Sequence, residues 1–169
     1  MRALLIGRFQ PFHKGHLAVI KKILGEADEL IIVVGSSQHR DAVENPFSAE
    51  ERVEMIRRVL DTEGVTGVQI FKVPDIGDDN RYPGHVMEHV PSFDVVYSGN
   101  SLVQRLFSAA GKEVRAINLI KRKEYSGTEI RRRMTTGEKW GHLVPEAVVK
   151  YLNEIKGVER VKKLEKGTG

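Results

Sequence analysis

"ALLIGRFQPFHKGHLAVIKKIL", residues 3–24, decides the fold class. Residues 3–6, ALLI, are an unbroken apolar run, as in a strand buried on both faces. Residues 14–25 place Leu17, Ile20, Ile23 and Leu24 on one face at helical spacing. The stretch therefore reads strand, turn, helix. Between the two elements, "GRFQPFHKGH" sets His13 and His16 three apart, beside Arg8, Lys14, two glycines and a proline. A turn needs glycine or proline and a helix start needs a cap, but neither needs two imidazoles and two cations. The segment is suited to holding an anion.

The same alternation runs outward along the chain. Residues 29–34, ELIIVV, form a second buried strand closed by Gly35-Ser36-Ser37. "NPFSAEE" opens a helix running to about Leu60, with Ser48 and Glu51 as a capping box and Phe47 as its staple. VQIFKV (68–73), DVVYS (94–98) and EVRAINL (113–119) are further strands, and a helix through Leu102, Leu106 and Phe107 follows the fourth. From Ser126 the chain reads as helical, with breaks near Gly137 and Gly141, a helix at 145–155 and a short basic tail helix; the final EKGTG frays. The expectation is an α/β fold: a Rossmann-like, doubly wound parallel sheet of five to six strands, with helices on both faces and a helical C-terminus. It occupies a single domain, 1–169, with a core of 1–135 and a C-terminal helical part of 136–165. Ligands of such sheets bind beyond the carboxyl ends of the strands. Each polar motif falls at such an end: 7–16, 35–37, 75–85, 98–100 and 121–133.

Composition narrows the function. A chain of 169 residues with 40% hydrophobic and 30% charged content is an ordinary globular one, and it has no apolar stretch of membrane-spanning length. We read it as starting at Met1 and as cytoplasmic. It has no cysteine, which removes thiolate nucleophiles, redox pairs and cysteine metal sites. The net charge of +4 is a mild excess, and most charges alternate in sign along helices, as on a solvated face. Three clusters break the mixing: Arg8/Lys14, Lys121-Arg122-Lys123 and Arg131-Arg132-Arg133. Nucleic acid could use them; a phosphorylated small molecule needs fewer.

His13 and His16 lie one turn apart at a helix start, where free N–H groups and a partial positive charge attract phosphate, and Gly15 permits close approach. The pattern also fits two surface histidines beside a glycine turn. A metal site lacks a third ligand nearby. In "YSGTEIRRR", Ser126 and Glu129 form a second capping box; Gly127, Thr128 and Arg131 make that helix start a second anion site, or merely a capped helix with a basic face.

"GRFQPFHKGH" and "YSGTEIRR" resemble the two signatures of the nucleotidyltransferase α/β-phosphodiesterase superfamily, (H/T)xGH and SxTxxR. "NPFSAEERVEMI", "VYSGNSLVQRLF", "YSGTEIRRRM" and the chain length resemble archaeal-type nicotinamide-mononucleotide (NMN) adenylyltransferases. The resemblance implies transfer of the adenylyl group of ATP to NMN, giving NAD and pyrophosphate, with Mg²⁺ on the ATP phosphates and no protein metal ligand. It implies ATP-binding roles for Gly7, Arg8, Phe9, His13, Gly15, His16, Gly99, Asn100, Ser126, Thr128 and Arg131. Of these, His16, His13, Arg8 and Arg131 are the catalytic group. NMN is expected at Phe12, Ser36, Ser37, Asn80 and Tyr82, the last standing where relatives carry a tryptophan. Glu44 fills a slot where some relatives have arginine, and Trp140 reads as a packing residue. The expected partners are ATP and NMN, with neither nucleic acid nor membrane, and the resemblance implies a homo-oligomer, a hexamer. Rival readings are an adenylyltransferase for nicotinate mononucleotide, phosphopantetheine or a polyol phosphate, a non-catalytic nucleotide sensor, and an RNA-binding protein using the basic runs.

Overall fold

The continuous apolar runs become strands. The structure, a computed structural model, describes residues 1–118 and 123–167. Leu119, Lys121 and Arg122, read as the end of the fifth strand and part of a basic cluster, lie outside the described residues, as do the last two residues of the tail. β1 (Arg2–Gly7), β2 (Glu29–Val34), β3 (Val68–Lys72), β4 (Val95–Ser98) and β5 (Glu113–Ala116) form one sheet in the order β3-β2-β1-β4-β5. Every pairing is parallel, with β1 meeting β2 from Arg2↔Glu29 to Gly7↔Val34 and β4 from Ala3↔Val95 to Leu5↔Tyr97. The order reverses at β1, the switch point of a doubly wound sheet. The expected five- to six-stranded Rossmann-like sheet is present with five strands among the described residues.

The helices are α1 (Lys14–Leu24), α2 (Ala49–Glu63), α3 (Tyr82–His89), α4 (Ser101–Ala109), α5 (Gly127–Thr136), α6 (Glu146–Glu154) and α7 (Gly157–Gly167), with 3-10 turns at Asp79–Arg81 and Gly141–Leu143. The chain forms two compact units that interleave in sequence. The first comprises Met1–Arg8, Val19–Ser37 and Gly67–Leu119 and holds the whole sheet; the second comprises Phe9–Ala18, Gln38–Thr66 and Ile120–Gly169. Residues 136–165 thus share a unit with the histidine segment.

In the first unit both sheet faces are buried: Leu4, Ile31, Val33 and Val96 on one, Ala3, Leu5, Leu30, Ile32 and Val95 on the other. Val86 of α3, Phe93 and Phe107 of α4 close the first face, with Tyr82, Met87 and Val103 packed around them. In the second unit, α2 starts on a complete capping box: Ser48 Oγ accepts from Glu51 N at 3.1 Å and a Glu51 carboxylate oxygen from Ser48 N at 2.8 Å. It stops at Gly64, whose φ of 67° is left-handed.

Two elements differ from the sequence expectation. β5 ends at Ala116, level with the end of β4 at Ser98, where the chain turns into α4; Ile117 N still donates to Ser98 O at 3.2 Å. The polar motif 75–85, to which no helix was assigned, contains a 3-10 turn and the start of α3. Pro83 sits in the first turn of α3, where its missing N–H costs nothing, and burial of Val86 offsets the weak propensity of Gly84.

Candidate active site

Imidazoles replace the usual hydroxyl and carboxylate at the start of α1. His13 immediately precedes the helix and is only 3% exposed. Its Nδ1 accepts from Gly15 N at 3.1 Å and from His16 N at 3.4 Å, while His16 Nδ1 accepts from His13 N at 3.1 Å. This is a reciprocal capping box built from two histidines. An accepting Nδ1 carries a lone pair, so the geometry assigns each ring as the neutral tautomer with its proton on Nε2. The rings stack at 3.6 Å between centroids, and His16 also meets the rings of Phe9 at 4.7 Å and Phe12 at 5.4 Å. Burial pushes His13 down to about 4, and burial followed by the neighbouring His13 pushes His16 well below its ordinary value. At neutral pH the segment therefore presents two uncharged N–H donors at the positive end of a helix.

α5 brings a second helix N-terminus to the same unit. Ser126 Oγ caps it by accepting from Glu129 N at 3.1 Å. The expected capping box is only half made. Glu129 turns its carboxylate to Arg132 at 2.8 Å and Arg133 at 3.0 Å, and those guanidinium bonds hold it at about 2. The Arg131–Arg133 run is consequently tied up: Arg132 also binds Glu138 at 2.6 Å, Arg133 donates to Lys139 O, and Arg131 Nη1 donates to Gln10 O at 2.6 Å. Two glycines permit the approach of the two motifs. A Cβ on Gly127 would stand 2.8 Å from Gln10 O, and one on Gly15 would stand 2.9 Å from the His13 ring and 3.1 Å from Tyr125 Cβ. His13, Gly15, His16, Ser126 and Arg131 are thus brought together, with Phe9 and Phe12 as the buried wall of His16 and Thr128 exposed on the first turn of α5.

The remaining predicted residues lie in the first unit. Gly7 closes β1 and its carbonyl accepts from Gly35 N at 2.9 Å; Arg8, which follows it, is exposed. Ser36 adopts a left-handed φ of 51° and donates through Oγ to Asp75 at 2.7 Å, while Ser37 N donates to Val73 O at 3.2 Å. Tyr82 opens α3 with its ring edge-on to Phe107 at 6.4 Å; burial, then Asp75, raises its hydroxyl to about 12. Asn80 is exposed in a turn capped by Asp78. Asn100 follows Gly99 and caps α4, its Oδ1 accepting from Leu102 N at 2.9 Å and Val103 N at 3.1 Å. Among the described residues no cluster of His, Asp or Glu is arranged to hold a metal ion, and no helix is long and apolar enough to cross a membrane.

The model of the cytidylyltransferase-like family matches residues 4–133, a span that includes both helix starts. The chain is 45% identical over 163 residues to the nicotinamide-nucleotide adenylyltransferase of Thermoplasma acidophilum, covering 96% of this chain and 91% of that one. It is 48% identical over 165 residues to the enzyme of that name from Methanococcus vannielii, covering 98% and 95%. The chain belongs to the nicotinamide-nucleotide adenylyltransferase family. A crystal structure of a bifunctional NMN adenylyltransferase/ADP ribose pyrophosphatase from Francisella tularensis, complexed with AMP and a Mn ion, shares the fold at TM-score 0.76 and 23% identity. This chain, 96% covered, spans about half (52%) of that longer protein.

Within this member of the adenylyltransferase family, three residues were given no role from the sequence. Gln10 lies inside the quoted motif yet has no chemistry of its own; the one hint was an amide set among Phe9, Pro11 and Phe12. Asp75 opens the 75–85 motif but was given no role, because its Ser36 partner is 39 residues away. Tyr125 meets Gly15 only through the tertiary fold.

Proposed function

We propose that the protein transfers the adenylyl group of ATP to the 5′-phosphate of nicotinamide mononucleotide, giving NAD and pyrophosphate. The observation that carries this reading is the histidine capping box, which spends both Nδ1 atoms on the backbone and leaves two Nε2–H donors beside a second helix N-terminus. In the proposed step a 5′-phosphate oxygen of NMN attacks the α-phosphorus of ATP. The bond from that phosphorus to the bridging oxygen breaks, and its electron pair leaves with pyrophosphate. The nucleophile is already an anion, so no general base is needed; the protein's task is alignment and charge stabilisation.

His16 and His13 donate Nε2–H to the ATP phosphates, with Gly15 and the α1 amides beside them and Phe9 and Gly7 as lining. Ser126, Thr128 and Arg131 take the β- and γ-phosphates, Arg8 adds positive charge, and Gly99-Asn100 serves the adenosine. Phe12, Ser36, Ser37, Asn80 and Tyr82 serve NMN. A divalent cation is Mg²⁺ carried on the ATP phosphates, where it neutralises charge. The donor set fits that arrangement, because both histidines present N–H groups rather than lone pairs. We further propose a cytoplasmic homo-oligomer, hexameric by resemblance, which light scattering on the purified protein would measure.

The test is pyrophosphate release with ATP and Mg²⁺ against NMN, nicotinate mononucleotide, phosphopantetheine and glycerol phosphate. NAD formed from NMN, abolished by EDTA and restored by Mg²⁺, is the expected result. Release with another acceptor alone moves the substrate, and ATP binding without release replaces the enzyme with a sensor.

A further inference from the structure

Gln10 makes three main-chain contacts, all within the second unit. Its side chain is 4% exposed. Nε2 donates to Phe47 O at 3.0 Å, Oε1 accepts from Phe47 N at 3.0 Å, and its own carbonyl accepts from Arg131 at 2.6 Å. The amide thus imitates a strand neighbour for a single residue of the segment ahead of α2. The same segment is also gripped by α7. Arg160 binds Glu51 through both nitrogens, at 2.6 and 2.9 Å, donates to Pro46 O at 3.2 Å and lies over the Phe47 ring at 5.9 Å. On the site side, Gln10 lies between Phe9 and Phe12, the two rings that flank His16, and three residues before His13.

We propose that Gln10 is a positioning residue of the adenylyl-transfer site. Its bidentate bond to Phe47, buttressed by Arg160, holds the turn that sets the direction of the His13 and His16 Nε2–H donors. The inference rests on the proposed function for its activity readout and on geometry alone for its spectroscopic one. Gln10 touches no reacting atom; it acts through the backbone between the two phenylalanines. Rate falls steeply when donors are misplaced by about 1 Å, by roughly 10²-fold, so loss of the clamp lowers kcat more than KM.

Gln10→Glu and Gln10→Leu test this. A glutamate carboxylate accepts from Phe47 N but faces Phe47 O with no proton, whereas its protonated form restores the donor. Relative to the unsubstituted protein, kcat of Gln10→Glu is expected to be lowered at least about tenfold near neutral pH, where Arg131 on the residue 10 carbonyl favours the ionised carboxylate. KM for NMN stays within about twofold, since no NMN contact is removed. A kcat within about threefold of the parent, or a loss that tracks the folded fraction measured by circular dichroism, overturns the proposal. Gln10→Leu is read without turnover, by long-range ¹⁵N–¹H NMR of the histidine rings. Mixed Nδ1–H and Nε2–H populations are expected; ring signals unchanged from the parent overturn the proposal even if the protein makes no NAD. Arg160→Lys, which keeps the charge and loses the bidentate geometry, should lower kcat on its own but add nothing to Gln10→Leu. Additive losses would show that Arg160 acts by another route and refute the buttress.

Discussion

His13 shows how a single residue can serve both fold and site. Its Nδ1 closes the helix while its proton is confined to Nε2, so protonation to imidazolium would break the cap as well as charge a buried ring. The pH consequence has a definite sign. Folded His13 titrates near 4 instead of near 6.5, so between those values the unfolded chain binds more protons. Stability is therefore complete above about pH 6.5 and is lost as pH falls toward 4, by about 3 kcal/mol from His13 alone, with His16 acting in the same direction. Urea midpoints at pH 7 and 4.5 measure this, and His13→Asn, which keeps a cap acceptor without a titrating group, should shrink the difference to the part that His16 contributes. An unsubstituted protein equally stable at both values contradicts the neutral buried pair. For turnover, His16→Ala should cost about 10²–10³-fold, as loss of one transition-state donor does. A steady-state rate within about fivefold of the parent removes His16 from that role.

At the scale of elements, two helix starts are packed through glycine. Gly127→Ala places a Cβ 2.8 Å from the Gln10 carbonyl, a backbone atom held by its own contacts. The cost should be about 1–3 kcal/mol of stability, as for overpacking in a tight interior. A urea midpoint unchanged from the parent would mean that α5 can shift away freely. Ser48→Ala removes one half of the complete capping box of α2 and should cost about 1 kcal/mol by the same measurement. The helix caps show where sequence is informative. Ser48/Glu51 and Ser126/Glu129 carry the same pattern, yet only the first closes reciprocally. Glu129 has Arg132 and Arg133 three and four residues ahead on its own helix, and their charge-assisted bonds outcompete the backbone N–H. α3 was absent from the sequence expectation for a related reason: Pro83 and Gly84 are local breakers, while the burial that sustains the helix is tertiary.

For the whole molecule, charge is the property that pattern alone misjudges. The +4 excess and the Arg131–Arg133 run left an RNA-binding reading open. In the structure Arg132 and Arg133 spend their charge on Glu129 and Glu138. A generic single-stranded RNA should therefore neither bind tightly nor inhibit NAD synthesis at about 0.1 M salt, where a protein relying on phosphate contacts would still bind. Fluorescence anisotropy with labelled RNA checks this. The strands, most helices and the two anion-attracting helix starts were legible without coordinates. Continuous apolar runs, helical spacing and N-terminal Ser or His are local signals, acting within one or two turns of chain. The tertiary structure decided the rest. The histidine tautomers follow from reciprocal bonds in a buried turn. Gln10 gains its importance from Phe47, 37 residues away, and Arg131, 121 residues away. The end of β5 lies level with the end of its neighbour β4. Each depends on a partner distant in sequence, and no spacing rule along the chain encodes which distant partner a polar group will meet.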